Sequence, residues 1–97
     1  MRYLLLSLTI ALLTGPAAAG TIQRACLDAP RAGSPHLCSC IQAAADRTLT
    51  NKDQRLAARF FDDPDMAQEI RQSDRQSHEV FWKRYRNFGK AAEAFCS

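Results

Sequence analysis

Ninety-seven residues suffice for one domain and no more, and the formal net charge is only +3. Setting aside a leader that contains Arg2 leaves 12 basic and 10 acidic side chains, a net charge of about +2. That balance lacks the basic excess on which nucleic-acid binding depends, so no nucleic-acid partner is expected.

The first element is a secretory signal over residues 1–19. Arg2 gives a short basic start, residues 4–13 form an uncharged apolar run of ten, and Gly15 and Pro16 break it. Ala17, Ala18 and Ala19 offer the small residues that a signal peptidase inspects, which predicts cleavage before Gly20. A bilayer span needs about 20 apolar residues, twice what this run supplies. Gln23 and Arg24 precede Cys26 where a lipoprotein signal wants small or apolar residues, which argues against a lipid anchor there. The second segment, residues 20–97, is then one helical, disulfide-bonded domain.

Within it, apolar residues recur at helical spacing and no run alternates with period two, so the fold class is all-α, with three to four helices. A short first helix covers residues 22–29, and Pro30, Arg31, Ala32 and Gly33 form a turn. Ser34 as cap with Pro35 at the first helical position starts a second helix over about residues 35–49. Leu37, Ile41, Ala44, Ala45 and Thr48 make its expected buried stripe, with Cys38 and Cys40 on its two flanks. Thr50 and Asp53 have the spacing of a capping box and open a third helix, whose apolar face is Leu56, Ala57, Phe60 and Phe61. Asp63 with Pro64 repeats the cap-and-proline pattern before a short fourth segment through Met66, Ala67 and Ile70. That segment either bends near Ser73 and Asp74 or runs on into the last helix. From Ser77 onward, Phe81, Tyr85, Phe88, Ala92 and Phe95 follow spacings of 4, 3, 4 and 3 and predict one buried stripe. Gly89 within it is expected to allow close approach of another helix.

Cys26, Cys38, Cys40 and Cys96 are four cysteines, all after the leader. In an oxidising compartment they read as two disulfides, which a domain with so small a core needs. Cys38 and Cys40 point about 200° apart on a helix and do not bridge each other. Two pairings remain: Cys26 with Cys38 and Cys40 with Cys96, or Cys26 with Cys40 and Cys38 with Cys96. Cys38 is the favoured partner of Cys26, because the two lie at equal distances from the turn at Ala32, as an antiparallel hairpin wants. A redox pair at Cys38 and Cys40, or a metal site adding His36, is the functional alternative. Redox motifs usually hold two residues between the cysteines and follow a strand, neither of which is present.

Other candidate sites are few. Lys83, Arg84, Tyr85 and Arg86 beside Trp82 mix basic and aromatic character, as an anionic surface would require. Lys83, Arg86 and Lys90 nevertheless share the side opposite the aromatic stripe with Glu79 and Glu93, which reads as a solvated face. Trp82 stands at the stripe's edge, as a core border or an exposed anchor. Asp62, Asp63, Asp65 and Glu69 form an acidic cluster without the glycine-bearing loop of a calcium site. Beside Phe60 and Phe61 these carboxylates are the candidate site for a cationic ligand such as an amino-acid guanidinium. His36 and His78 lack zinc spacing, and His78 is expected to pair with Asp74 four residues earlier. No catalytic, cofactor or metal motif is expected, and no enzyme activity.

Several runs are similar to a set of short exported proteins of Gram-negative bacteria, some of which carry the label "arginine transporter". These are Cys26 and Leu27, residues 37–42, residues 48–50, residues 53–55, residues 57–61 and residues 71–75, together with Phe81, Trp82, Arg84, Tyr85 and Cys96. The resemblance covers nearly all of the chain after the leader. It implies a compact exported unit and assigns no residue a role. Transport across a bilayer needs several spanning helices around a polar path. After Ala19 the longest uncharged stretch, residues 32–45, has only 14 residues. No transmembrane segment is expected after signal cleavage, so the label implies at most a soluble accessory or binding component.

The expectation is therefore a periplasmic or secreted interaction module whose partner is a protein of the cell envelope. The alternative is a soluble binder of a cationic amino acid. The exported protein is expected to begin at Gly20 or within two residues of it, which mass spectrometry of the intact protein checks; retention of Met1 on a membrane-bound form would contradict the leader.

Overall fold

The computed structural model describes residues 20–31 and 33–96, and the leader reading lies outside them. Five helices follow one another: α1 (Thr21–Asp28), α2 (Pro35–Thr48), α3 (Asn51–Asp62), α4 (Pro64–Arg71) and α5 (Gln76–Cys96). No strand occurs among the described residues. The domain is all-α, as the hydrophobic periodicity predicts.

Local chemistry sets the boundaries. Ser34 accepts a hydrogen bond from the Leu37 N–H at 3.0 Å, and Pro35 follows it at the first helical position. Thr50 and Asp53 close a reciprocal capping box, each side chain accepting from the other's backbone N–H at 3.0 Å. Asp63 holds the cap position of α4, but its side chain makes no cap hydrogen bond, contrary to the expectation. Pro64, already without an N–H, relieves part of that need. The chain breaks between α4 and α5, which raises the helix number to five. There Gln72 and Ser73 donate backbone N–H groups back to the end of α4, and the Ser73 hydroxyl accepts from the Arg75 N–H at 3.1 Å.

α2 packs on α1 and α5, α1 also on α3, and α4 rests on α3 and α5. Ile22, Ala45, Leu49, Ala57, Phe60, Phe81 and Phe88 are the heart of the core. Phe60 stands edge-on to Phe81 and Tyr85, at centroid distances of 6.0 and 5.3 Å. These are the separations at which aromatic rings attract beyond simple area burial. Trp82 lies half-buried against Tyr85 at 5.1 Å and is a border of the core. Burial pushes the Tyr85 phenol above its ordinary value.

Both disulfides are present: Cys26–Cys38 joins α1 to α2, and Cys40–Cys96 joins α2 to the end of α5. Cys38 is thus the partner of Cys26, as the hairpin spacing of the two predicts. No cysteine is free among the described residues.

Three packing expectations are corrected. Phe95 is 69 % exposed rather than buried. Cys96 must turn toward α2 to reach Cys40, and its neighbour, about 100° round the helix, is carried outward. Leu37 is exposed as well, because α2 is rotated so that Cys38, Gln42, Ala45 and Leu49 face inward. Gly89 admits no close helix, since a Cβ built there meets nothing within 4 Å.

A polar junction accompanies the core. The buried Gln42 amide accepts from the Gln23 N–H at 2.8 Å and donates to Asp46 at 2.8 Å and to Gln54 at 2.9 Å. Gln54, also buried, donates in turn to the same Asp46 oxygen at 3.1 Å. Gly20 lies so close over the Gln42 side chain that any Cβ there would overlap it.

Phe88→Ala is expected to cost about 3–5 kcal/mol, whereas Phe95→Ala stays within about 0.5 kcal/mol. Gly89→Ala is expected to gain about 0.5–1 kcal/mol from helix propensity. Urea unfolding followed by Trp82 fluorescence measures all three. Equal losses for the two phenylalanine variants would refute the register given to α5.

Candidate functional site

The capping box at the start of α3 does more than end a helix. Asp53, 5 % exposed, receives Arg84 of α5 in a two-pronged contact, Nε to Oδ2 at 2.5 Å and an Nη to Oδ1 at 3.0 Å. Such forked pairs fix geometry as well as charge. Burial pushes the Asp53 carboxyl up. Hydrogen bonds from Arg84 and Thr50, with the guanidinium charge, outweigh burial and hold it below the ordinary carboxylate range. Hydrogen bonding to Asp53 in turn raises the Arg84 guanidinium.

This pair closes one side of a groove of about 660 Å³ between α3 and the start of α5. Lys52 and Leu56 line the α3 wall, and Arg75, Gln76, Ser77, His78 and Val80 line the α5 wall. Phe81, 3 % exposed, forms the base with half-buried Leu56, and Val80, 42 % exposed, stands above them. His78 Nδ1 lies 2.8 Å from the Ser73 hydroxyl, so its partner is Ser73 and not Asp74. The volume is that of a ligand-sized cleft. Its chemistry is an apolar strip bordered by Lys52 and Arg75, while Arg84–Asp53 is the only ion pair among the described residues.

A second groove, of about 220 Å³, lies beside the Cys40–Cys96 bridge, lined by Ala43, Ala44, Arg47 and Phe95. The Arg47 guanidinium carbon sits 6.0 Å from the centre of the Phe95 ring, at the edge of cation–π range.

The acidic cluster occupies the corner between α3 and α4. Asp62, Asp63, Asp65 and Glu69 are all exposed and line neither groove. Phe60 is turned into the core and Phe61 is half-buried against it. Among the described residues no group of three His, Cys, Asp or Glu side chains could hold a metal ion, and His36 is exposed. Lys83, Arg86, Lys90, Glu79 and Glu93 are exposed together, while Arg84 leaves that basic run for Asp53. The sequence does carry a sign of the groove: Val80 is an apolar residue standing beside the stripe of Phe81, Tyr85 and Phe88 rather than in it.

The chain matches no protein-family model, no curated protein sequence and no solved structure.

A carboxyl held low by folding stabilises the fold above its unfolded value and loses that contribution as pH falls through the lower folded value. Asp53→Asn is expected to cost most above about pH 4, with the gap from the native protein narrowing as pH falls further. Urea unfolding at a series of pH values measures the gap. A gap unchanged between about pH 7 and about pH 3 would remove Asp53 from this role.

Proposed function

We propose that residues 20–97 act as an exported binding module that docks a protein of the cell envelope in the groove between α3 and α5, with no chemistry of its own. The supporting observation is Val80. An apolar side chain 42 % exposed in the lining of a ligand-sized groove is surface that a partner would cover. Two disulfides in so small a domain support an oxidising compartment, in keeping with the leader pattern of residues 1–19. No described helix is long and apolar enough to cross a membrane.

Site-specific photo-crosslinking in intact cells tests this reading. A photoreactive residue at Val80 is expected to yield a discrete adduct, and the same residue at exposed Arg86 none. Equal labelling from both positions, or none from Val80, would count against the groove as the docking site.

A further inference from the structure

Resting on the reading of the groove as a docking site, we propose that its occupant is an acidic peptide segment of the partner. An apolar side chain of that segment seats on Leu56, Val80 and Phe81, and its carboxylates meet Lys52 and Arg75. The charge of the groove carries the argument. Its one carboxylate, Asp53, is already engaged by Arg84 and by the Thr50 N–H. Lys52 and Arg75 stand exposed on opposite walls and take part in no ion pair among the described residues. Both lining cations are thus uncompensated, and a carboxylate beside each would restore neutrality across the cleft.

A second feature has the same sign. Gln76 and Ser77 belong to both the lining of the groove and the first turn of α5, a helix of 21 residues. The positive end of the helix dipole lies there, and what Glu79 of the same turn leaves uncompensated favours anions. A basic or neutral segment would gain nothing from Lys52, Arg75 and the helix dipole. The apolar part of the groove selects a peptide over a lipid surface. Phe81 is recessed between two helices, where a side chain reaches and a flat headgroup plane does not. A second copy of this chain could offer its acidic corner at Asp62, Asp63 and Asp65. That contact joins the groove of one copy to a different patch of the other, and self-association of the protein alone distinguishes it from a partner's segment.

The test uses the disulfide-intact protein and a capped octapeptide of glutamate, aspartate and leucine. One control peptide replaces the acids by their amides and another by lysine. Backbone amide resonances of residues 52–56 and 76–84 are expected to shift with the acidic peptide and stay in place with the lysine peptide. The amide control is expected to bind at least about tenfold more weakly, and binding should weaken with added salt. Lys52→Glu with Arg75→Glu is expected to lower affinity by about tenfold or more, near-ultraviolet circular dichroism confirming the fold. Val80→Asp, a change at an exposed position, should also weaken binding.

Equal binding of the acidic and amide peptides would overturn the acidic preference while leaving the groove a docking site. If no peptide moves groove resonances, the acidic segment is wrong, and crosslinking from Val80 decides separately whether a partner docks there. Concentration-dependent association of the protein alone, abolished by Lys52→Glu with Arg75→Glu, would replace the partner's segment with a second copy.

Discussion

The side-chain amide of Gln42 holds together the half of the fold that has the least apolar surface. α1 has eight residues and only Ile22 and Cys26 buried, too little to dock on hydrophobic contact alone. Its first turn leaves N–H groups without helical partners, and no side chain of its own caps them. Gln42 supplies the acceptor from α2, and its two amide protons go to Gln54 of α3 and to Asp46. Every donor of this amide is used, so its orientation is fixed, and turning it over would set an NH₂ against the Gln23 N–H. A buried network of this kind specifies one arrangement because any shift strands a polar group at a cost of about 1–3 kcal/mol. Gly20 follows from it: the chain enters α1 directly over the Gln42 side chain, and a Cβ there would displace the amide from its hydrogen bonds.

Asp53 and Arg84 play a corresponding part next to this network, at the same end of α3. The carboxylate finishes the capping box and engages the guanidinium at once, so the start of α3 and the middle of α5 are fixed to each other by one residue. Together with the rings of Phe60, Phe81 and Tyr85, which meet across the same two helices, the pair sets the width of the groove. The aromatic cluster of Phe60, Phe81 and Tyr85 lies next to it and keeps Phe81 at the groove's base. Groove and core thus share Phe81, and the recess is continuous with the packed interior.

Most of the fold was legible in the sequence because it rests on short-range signals. Caps at Ser34 and Thr50, the aromatic spacing from Phe81 to Phe88 and the even cysteine count are all read within a few residues. What escaped depends on contacts far apart in the chain. Gln42 gives no local signal, because a polar residue in a helix reads as solvent-facing and its partners lie 19 and 12 residues away. Arg84 reads as one of a basic run, since nothing nearby distinguishes it from Lys83 or Arg86; its carboxylate is 31 residues distant. Phe95 satisfies the spacing of the stripe, yet the covalent demand of Cys96 overrides spacing at the last turn. The acidic corner drew attention by composition, whereas the groove gathers residues from positions 52–56 and 75–84 that no single window contains.

Covalent and non-covalent constraints are divided along the molecule. Both disulfides end on α2, closing segments of 12 and 56 residues, and they hold α1 and the end of α5 to it. Restricting the unfolded chain in this way stabilises most where the segment closed is long. The elements that form the groove, α3 and the start of α5, lie inside the longer segment and are joined by no bridge of their own. Ring contacts, one capping box and one ion pair keep them in place. The frame is braced covalently, and the walls of the groove are held by non-covalent contacts alone. Packing and hydrogen bonds that open locally cost a fraction of global unfolding. In a domain this small, covalent bracing elsewhere is what allows Val80 to remain uncovered and Lys52 and Arg75 to remain unpaired without loss of the fold.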